Sequence, residues 1–173
     1  MSARVVFLDV DGVICLSSGE FEASACGQLA RLIEHSGARI VISSTWRYTD
    51  DASDLLRAHL ATQGLRAHDE TPFVDDSAAR FAATDPAMLR THEPAAVTRA
   101  YEIFRWLLAA PDVQSWVALD DLDLPIGVHL IRTTWECGLT SSHVDRAMEI
   151  LAQPAPPPHE LFRFTPPDTA AGI

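Results

Sequence analysis

Apolar and polar positions along the chain follow two alternating patterns. Four short apolar runs rich in Val and Ile, each with polar residues after it, are typical of buried strands in a parallel sheet. They cover residues 4–10, 39–43, 116–119 and 128–131. Apolar residues at helical spacing predict helices over residues 22–35, 51–63, 100–110 and 142–152. The alternation predicts an α/β fold, a parallel sheet covered by helices on both faces in three layers.

Two stretches of the chain lack this periodicity. Residues 65–97 mix turn signals with few periodic apolar positions, and we interpret them as at most a small lid-like insertion. Residues 154–173 contain PAPPPH and TPP, which predict a flexible or extended arm rather than a helix or central strand. The prediction is therefore one domain over residues 1–153, with a proline-rich C-terminal tail over 154–173.

Composition limits the kind of partner. There are 24 acidic and 13 basic residues, a formal charge of −11, and every basic residue is an arginine. This charge argues against broad contact with a nucleic-acid backbone but leaves room for a pocket that takes one strand end. Three widely spaced cysteines predict reduced thiols, and neither a signal-peptide pattern nor a membrane-length apolar run is present. We expect a cytoplasmic protein without membrane contact.

Polar residues stand where three of the predicted strands end, which is where open parallel sheets bind ligands. Asp9 lies at the end of the first strand and Asp11 just beyond it, and on an extended backbone their side chains point the same way, roughly 7 Å apart. Two carboxylates this close repel unless a cation relieves them, and Mg²⁺ prefers such oxygen ligands. Gly12 lets the backbone turn sharply there. The alternative is that these aspartates only cap a turn.

The stretch FLDVDGVI, residues 7–14, resembles the first motif of the haloacid dehalogenase (HAD) superfamily of phosphotransferases. The resemblance implies a Rossmann-like, HAD-like sheet and a magnesium-dependent reaction through an aspartyl-phosphate. Asp9 would be the nucleophile and Asp11 the general acid and base. Both would also belong to the magnesium site.

The same resemblance assigns roles to later residues. RIVISSTWR, residues 39–47, is similar to the second motif, a hydroxyl that binds the phosphoryl group. Ser43 is the first choice for that hydroxyl, Ser44 is the second, and Arg47 would line the mouth of the site and bind phosphate. Gly12 would join the phosphate-binding set.

The third and fourth motifs are a cation and an acidic pair. The family usually has a lysine, which this chain lacks, so Arg99 would take its place, with Arg47, Arg90 and Arg105 as alternatives. WVALDDLDL, residues 116–124, is similar to the acidic motif, so Asp120 and then Asp121 would complete the magnesium site.

These assignments predict a phosphatase that hydrolyses phosphoric monoesters with Mg²⁺ as its cofactor. The expected partner is a phosphorylated substrate, a small molecule rather than a macromolecule, with nucleic acid limited to a strand end. Two alternatives stay open: a HAD-fold binding protein with weak or no catalysis, and a nucleic-acid-end phosphatase. The substrate and the oligomeric state are left open.

Overall fold

A computed structural model describes residues 3–166, which form a five-stranded, fully parallel sheet between helices. Its strands are β1 (Ala3–Leu8), β2 (Arg39–Ile42), β3 (Ala67–Glu70), β4 (Val113–Asp120) and β5 (Leu130–Arg132). The spatial order is β3-β2-β1-β4-β5, so the first strand is central and all carboxyl ends share one edge. The predicted α/β fold with a Rossmann-like parallel sheet is confirmed.

Seven helices connect and cover the strands in the described part of the chain. They are α1 (Ala23–Ser36), α2 (Asp50–Thr62), α3 (Asp76–Ala82), α4 (Met88–Thr91), α5 (Pro94–Ala109), α6 (Ser141–Leu151) and α7 (Pro158–Leu161). Two short 3₁₀ turns, Thr45–Tyr48 and Gly127–His129, follow β2 and precede β5. None of the helices described is both long and apolar enough to cross a membrane.

The central strand shows why the fold has three layers. Val6 and Leu8 of β1 pack into one apolar cluster with α1, α2 and α6. Val5 and Phe7 point to the opposite face and pack into a second cluster with α3 and α5. Side chains of a strand alternate between faces, so a strand buried on both sides reads as an unbroken apolar run.

Residues 65–97 contain more of the core than a lid-like insertion implies. The segment starts with β3, which pairs with β2 at the sheet edge. Ala79 and Met88 then pack into the cluster under α5. Parts of the segment therefore belong to the sheet and its helical layer, whereas residues near Phe73 and His92 line cavities beside the strand ends.

The prediction that the tail is a flexible or extended arm is wrong for its described part. Pro158 begins the short helix α7, because the first helical turn needs no amide hydrogen from a proline. Phe162 and Phe164 beyond it are buried, and the Phe162 ring stacks on Trp116 at 5.6 Å. The tail up to Pro166 thus completes one hydrophobic cluster, while residues 167–173 lie outside the described part.

Candidate active site

The register of the sheet gathers the predicted residues at its carboxyl edge. Leu8 of β1 pairs with Ile42 and Leu119, so Asp9 follows between the ends of β2 and β4. The Asp9 amide donates to Leu119 O at 3.0 Å, and the Ser43 amide donates to Leu8 O at 3.0 Å. The backbone ladder itself therefore holds Asp9 beside Ser43 on one side and Asp120 on the other.

Arg99 extends from α5 into this edge and bridges two of its carboxylates. Its Nη1 atom lies 2.6 Å from Asp9 Oδ2 and 2.9 Å from Asp120 Oδ2. Burial alone would lower the pKa of Arg99, but the two carboxylates outweigh burial and raise it. The guanidinium is therefore a fixed positive charge against the predicted nucleophile, where the family's third motif requires a cation.

Three carboxylates form a cluster that could hold a cation. Asp9, Asp120 and Asp121 each offer an oxygen within 4.8 Å of the others. Burial, and then the charge of Asp9, raises the pKa of Asp120 to about 7 and also raises that of Asp121. The single positive charge of Arg99 does not balance three carboxylates, so the cluster keeps excess negative charge. Its ligand atoms are all oxygens, and such a site fits Mg²⁺.

The Asp11 carboxylate lies outside this cluster, and the place of Asp11 in the magnesium site stays a prediction. The strand β1 ends at Leu8, so the extended geometry assumed for Asp9 and Asp11 does not continue. The Asp11 Oδ2 atom instead accepts a hydrogen bond from Trp46 Nε1 at 2.9 Å. Trp46 packs against Phe21, with ring centroids 5.5 Å apart, which fixes that donor.

The two candidate hydroxyls after β2 have different surroundings. Ser44 Oγ accepts from the Trp46 amide at 3.4 Å and so caps the 3₁₀ turn. Ser43 is 1% exposed, and its Oγ is the one fully buried side-chain polar atom without a hydrogen-bond partner in the described chain. A buried hydroxyl without a partner is costly, so it marks a place where the hydroxyl could donate a hydrogen bond to a ligand oxygen.

Arg47 does not have the freedom that phosphate binding requires. Its five N–H donors are directed at protein groups: Nε to Thr71 O, Nη1 to the carbonyls of Ser43 and Ser44, and Nη2 to Glu102 and Tyr48. The Arg47 and Glu102 side chains are 3% and 2% exposed, with a 2.6 Å contact. Arg47 therefore positions the Ser43–Ser44 backbone, which corrects its predicted role as a phosphate ligand.

Gly12 serves the site through its lack of a side chain. Its φ is +70°, and an added Cβ would lie 2.7 Å from Asp121 Cβ. Its carbonyl accepts a 2.7 Å hydrogen bond from Thr133 Oγ1. Gly12 therefore lets the loop after Asp11 approach the acidic cluster closely, which is a structural contribution distinct from the predicted phosphate contact.

Sequence reasoning missed Thr133, Glu102 and the contact of Trp46 with Asp11. Thr133 had a signal, since it is a polar residue two positions after the predicted strand over residues 128–131. Glu102 had a weaker one, an acid next to Ile103 and Phe104 on the apolar face of a helix. No sequence signal connects Trp46 to Asp11, because that contact depends on how the 3₁₀ turn folds back.

The fold and the ordered residues at its strand ends define a HAD-type domain. A model of the HAD domain in Swiss Army Knife RNA repair proteins matches residues 5–144, which include all the site residues described above. The chain belongs to this family, and its resemblance to the HAD superfamily is confirmed. No curated protein and no solved structure matches the chain.

Proposed function

We propose that the protein is a Mg²⁺-dependent phosphomonoester hydrolase in which Asp9 is the nucleophile. The observation that carries this proposal is the setting of Asp9, which contacts Arg99 on one side and belongs to the acidic cluster on the other. The unpartnered Ser43 hydroxyl follows the neighbouring strand. A cation, a hydroxyl donor and a carboxylate nucleophile together suit phosphoryl transfer.

The first half of the reaction transfers the phosphoryl group to the protein. A carboxylate oxygen of Asp9 attacks phosphorus, and the bond from phosphorus to the substrate's leaving oxygen breaks. Asp11 gives that oxygen its proton, so the alcohol leaves neutral. Ser43 Oγ donates a hydrogen bond to a phosphoryl oxygen, and Arg99 stabilises the charge of the phosphoryl group.

The second half releases inorganic phosphate. Asp11, now a carboxylate, takes a proton from water, whose oxygen attacks phosphorus. The bond between phosphorus and the Asp9 oxygen breaks, which restores the Asp9 carboxylate and the protonated Asp11. Trp46 Nε1 donates to Asp11 Oδ2 in both halves of the reaction, so the proton is carried by the other oxygen of the Asp11 carboxyl group.

The acidic cluster supplies the magnesium site in this proposal. Asp9, Asp120 and Asp121 would hold the ion, which offsets the negative charge of the phosphoryl oxygens facing a carboxylate nucleophile. Asp120 keeps its orientation because its Oδ1 accepts from the Leu122 amide at 2.9 Å.

The test is hydrolysis of an aryl phosphate with and without Mg²⁺. We expect turnover that needs Mg²⁺, disappears in Asp9→Asn, and persists in Asp123→Asn, which changes an exposed acid outside the cluster. Asp11→Asn should lose turnover while the protein still binds Mg²⁺. A fully active Asp9→Asn enzyme would disprove the role of Asp9.

A second candidate concerns the substrate rather than the reaction. The family's description names RNA repair proteins, which favours a phosphorylated RNA end as substrate. The net charge of −11 limits contact to a terminus rather than a long strand. Comparing a terminally phosphorylated oligoribonucleotide with sugar phosphates tests this candidate, and a preference for sugar phosphates would contradict it.

A further inference from the structure

Two exposed aromatic rings lie at the mouth of the site. Tyr48 is 45% exposed and Phe73 is 68% exposed. Their ring centroids are 5.1 Å apart in an edge-to-face arrangement. Tyr48 ends the 3₁₀ turn after Ser44, and Phe73 lies in the loop between β3 and α3. Adjacent exposed rings add little to the core, which points to a contact outside the folded chain.

Buried groups hold this aromatic pair in place. The Tyr48 hydroxyl donates to Glu102 Oε1 at 3.3 Å, and the Arg47 guanidinium lies 4.6 Å from the Tyr48 ring centre. The amide of Val74, next to Phe73, also donates to Glu102 Oε1 at 3.2 Å. The Tyr48 hydroxyl and the backbone beside Phe73 are thus tied to one buried carboxylate, which limits the conformational freedom lost when a ligand binds the pair.

The aromatic pair shares a cavity with the catalytic arginine. Tyr48 and Phe73 line a space of about 340 Å³ together with Arg99, which contacts Asp9. A group attached to a phosphate at Asp9 can therefore extend along this cavity to the rings. Asp75 and Asp76 line the same cavity and disfavour a second phosphate there.

We infer that Tyr48 and Phe73 bind the nucleobase of the substrate, a nucleoside unit that carries one terminal phosphate. This inference rests on the proposed phosphatase activity and names the chemistry of its leaving group. Every nucleobase has a flat π face that stacks on aromatic side chains, without a requirement for one base sequence. Such a unit is present both in a free nucleotide and at the end of an RNA strand.

A second cleft, of about 750 Å³, offers the competing location. It lies beside Asp121 and contains Trp135, which is 44% exposed. Asp121, Glu93, Asp123 and Glu136 also line this cleft, and Arg99 does not. Because only the Tyr48–Phe73 cavity of these two is lined by Arg99, which contacts Asp9, we assign the base to the Tyr48–Phe73 pair.

The test is the ratio of kcat/KM for adenosine 5′-monophosphate to kcat/KM for glycerol phosphate, measured with Mg²⁺. Phe73→Ala and Phe73→Leu should lower this ratio about tenfold, because both remove a stacking ring. Phe73→Trp should keep it. The matched control is Phe81→Ala, which removes a ring that is 94% exposed on α3 and lines none of these cavities.

The outcomes separate this inference from the proposed function. The inference would be overturned if wild type and Phe73→Ala had equal kcat/KM ratios, or if the ratio fell only in Trp135→Ala. In either case, hydrolysis of glycerol phosphate would still support the phosphatase. If neither compound is hydrolysed, the phosphatase proposal fails. The inference is then decided by calorimetry, which measures the binding of adenosine 5′-monophosphate to Asp9→Asn protein. The inference requires that adding Phe73→Ala to this variant weakens the binding.

A third substrate identifies the source of the nucleoside unit. If a terminally phosphorylated oligoribonucleotide exceeds adenosine 5′-monophosphate in kcat/KM, and Phe73→Ala removes the advantage, the unit is an RNA end. If the free nucleotide is the better substrate and Phe73→Ala lowers its kcat/KM, the unit is a free nucleotide.

Discussion

Arg47 and Arg99 are both buried arginines near the carboxyl edge of the sheet, yet their surroundings differ. All five Arg47 donors are directed at backbone carbonyls, a tyrosine and Glu102. The ion-pair contacts of Arg99 both use a single nitrogen, Nη1, which faces Asp9 and Asp120. Arg99 therefore keeps donors for a ligand, whereas Arg47 does not.

The comparison shows that burial and charge alone do not identify a ligand-binding arginine. What separates the two residues is the number of N–H donors that the protein leaves unused. The Arg47 network holds the backbone that carries Ser43, and the Arg99 contacts are made to Asp9, the proposed nucleophile, and to Asp120. Variants of the Arg47 network should therefore change mainly stability, whereas variants of Arg99 should change mainly turnover.

The largest stability effect is expected when the Arg47 network is broken. Glu102→Ala leaves a buried guanidinium without its carboxylate, so we expect a loss of about 3–5 kcal/mol in the free energy of unfolding. Urea unfolding measures it. The double variant Arg47→Met/Glu102→Leu should recover part of the loss, because it leaves no unpaired buried charge.

The control for this prediction is an ion pair on the surface. Arg146 and Glu149 are 2.9 Å apart on α6, with side chains 56% and 67% exposed. Glu149→Ala should change stability by at most about 0.5 kcal/mol, because water screens the pair. Equal losses in Glu102→Ala and Glu149→Ala would contradict a structural role for the buried network.

Arg99→Ala should act mainly on turnover. Removal of the cation beside Asp9 is expected to lower kcat about 10²- to 10³-fold, the usual cost of losing one preorganised donor. Arg99→Lys should recover part of the loss, because it keeps the charge but not the guanidinium geometry. Arg105→Ala, further along α5, is the control, and a loss of the same size there would contradict the assignment.

The acidic cluster should make the metal-free protein less stable as the pH rises. The pKa of Asp120 is raised to about 7 in the folded protein, whereas an unfolded carboxyl titrates near pH 4. Between these values the folded protein keeps a proton that the unfolded chain has released. The stability contributed by Asp120 is therefore present at about pH 4 and is lost as the pH approaches about 7.

Urea unfolding with a chelator at about pH 5 and about pH 7.5 checks this effect. Asp120→Asn should flatten the pH dependence, and Mg²⁺ should stabilise the wild type at the higher pH more than it stabilises the variant. Identical pH profiles for the two proteins would contradict a perturbed Asp120. Asp112→Asn, an exposed acid before β4, provides the matched control.

The central part of the fold could be predicted because buried parallel strands are continuous apolar runs, as in residues 39–43. The edge strand β3 has the sequence AHDE and is largely exposed, so nothing apolar marked it. The predicted strand over 128–131 was displaced, since Gly127–His129 forms a 3₁₀ turn and Val128 is 65% exposed. The edge strands of a sheet are defined by their pairing with neighbouring strands in three dimensions, and the local sequence pattern does not contain that information.

The candidate site divides in the same way. Asp9, Ser43 and Asp120 could be found because each lies at the end of a predicted strand or directly after it. The different tasks of Arg47 and Arg99 could not, because they depend on Thr71, Glu102 and Asp120, which are distant in sequence. The displacement of Asp11 from the acidic cluster likewise depends on the point where β1 ends and on the Trp46 indole.

The smallest expected differences in stability concern the two adjacent serines. Ser44→Ala removes the cap of the 3₁₀ turn and should cost about 0.5–1 kcal/mol. Ser43→Ala should leave stability unchanged or slightly higher, because the buried hydroxyl that it removes has no protein partner. Turnover should depend on the other serine, with a fall of about tenfold in Ser43→Ala and little change in Ser44→Ala.

Urea unfolding and aryl phosphate hydrolysis on the same two variants measure stability and turnover. If Ser44→Ala lost the activity instead, the phosphate-binding hydroxyl would be Ser44, and the Arg47 network would position that residue for catalysis.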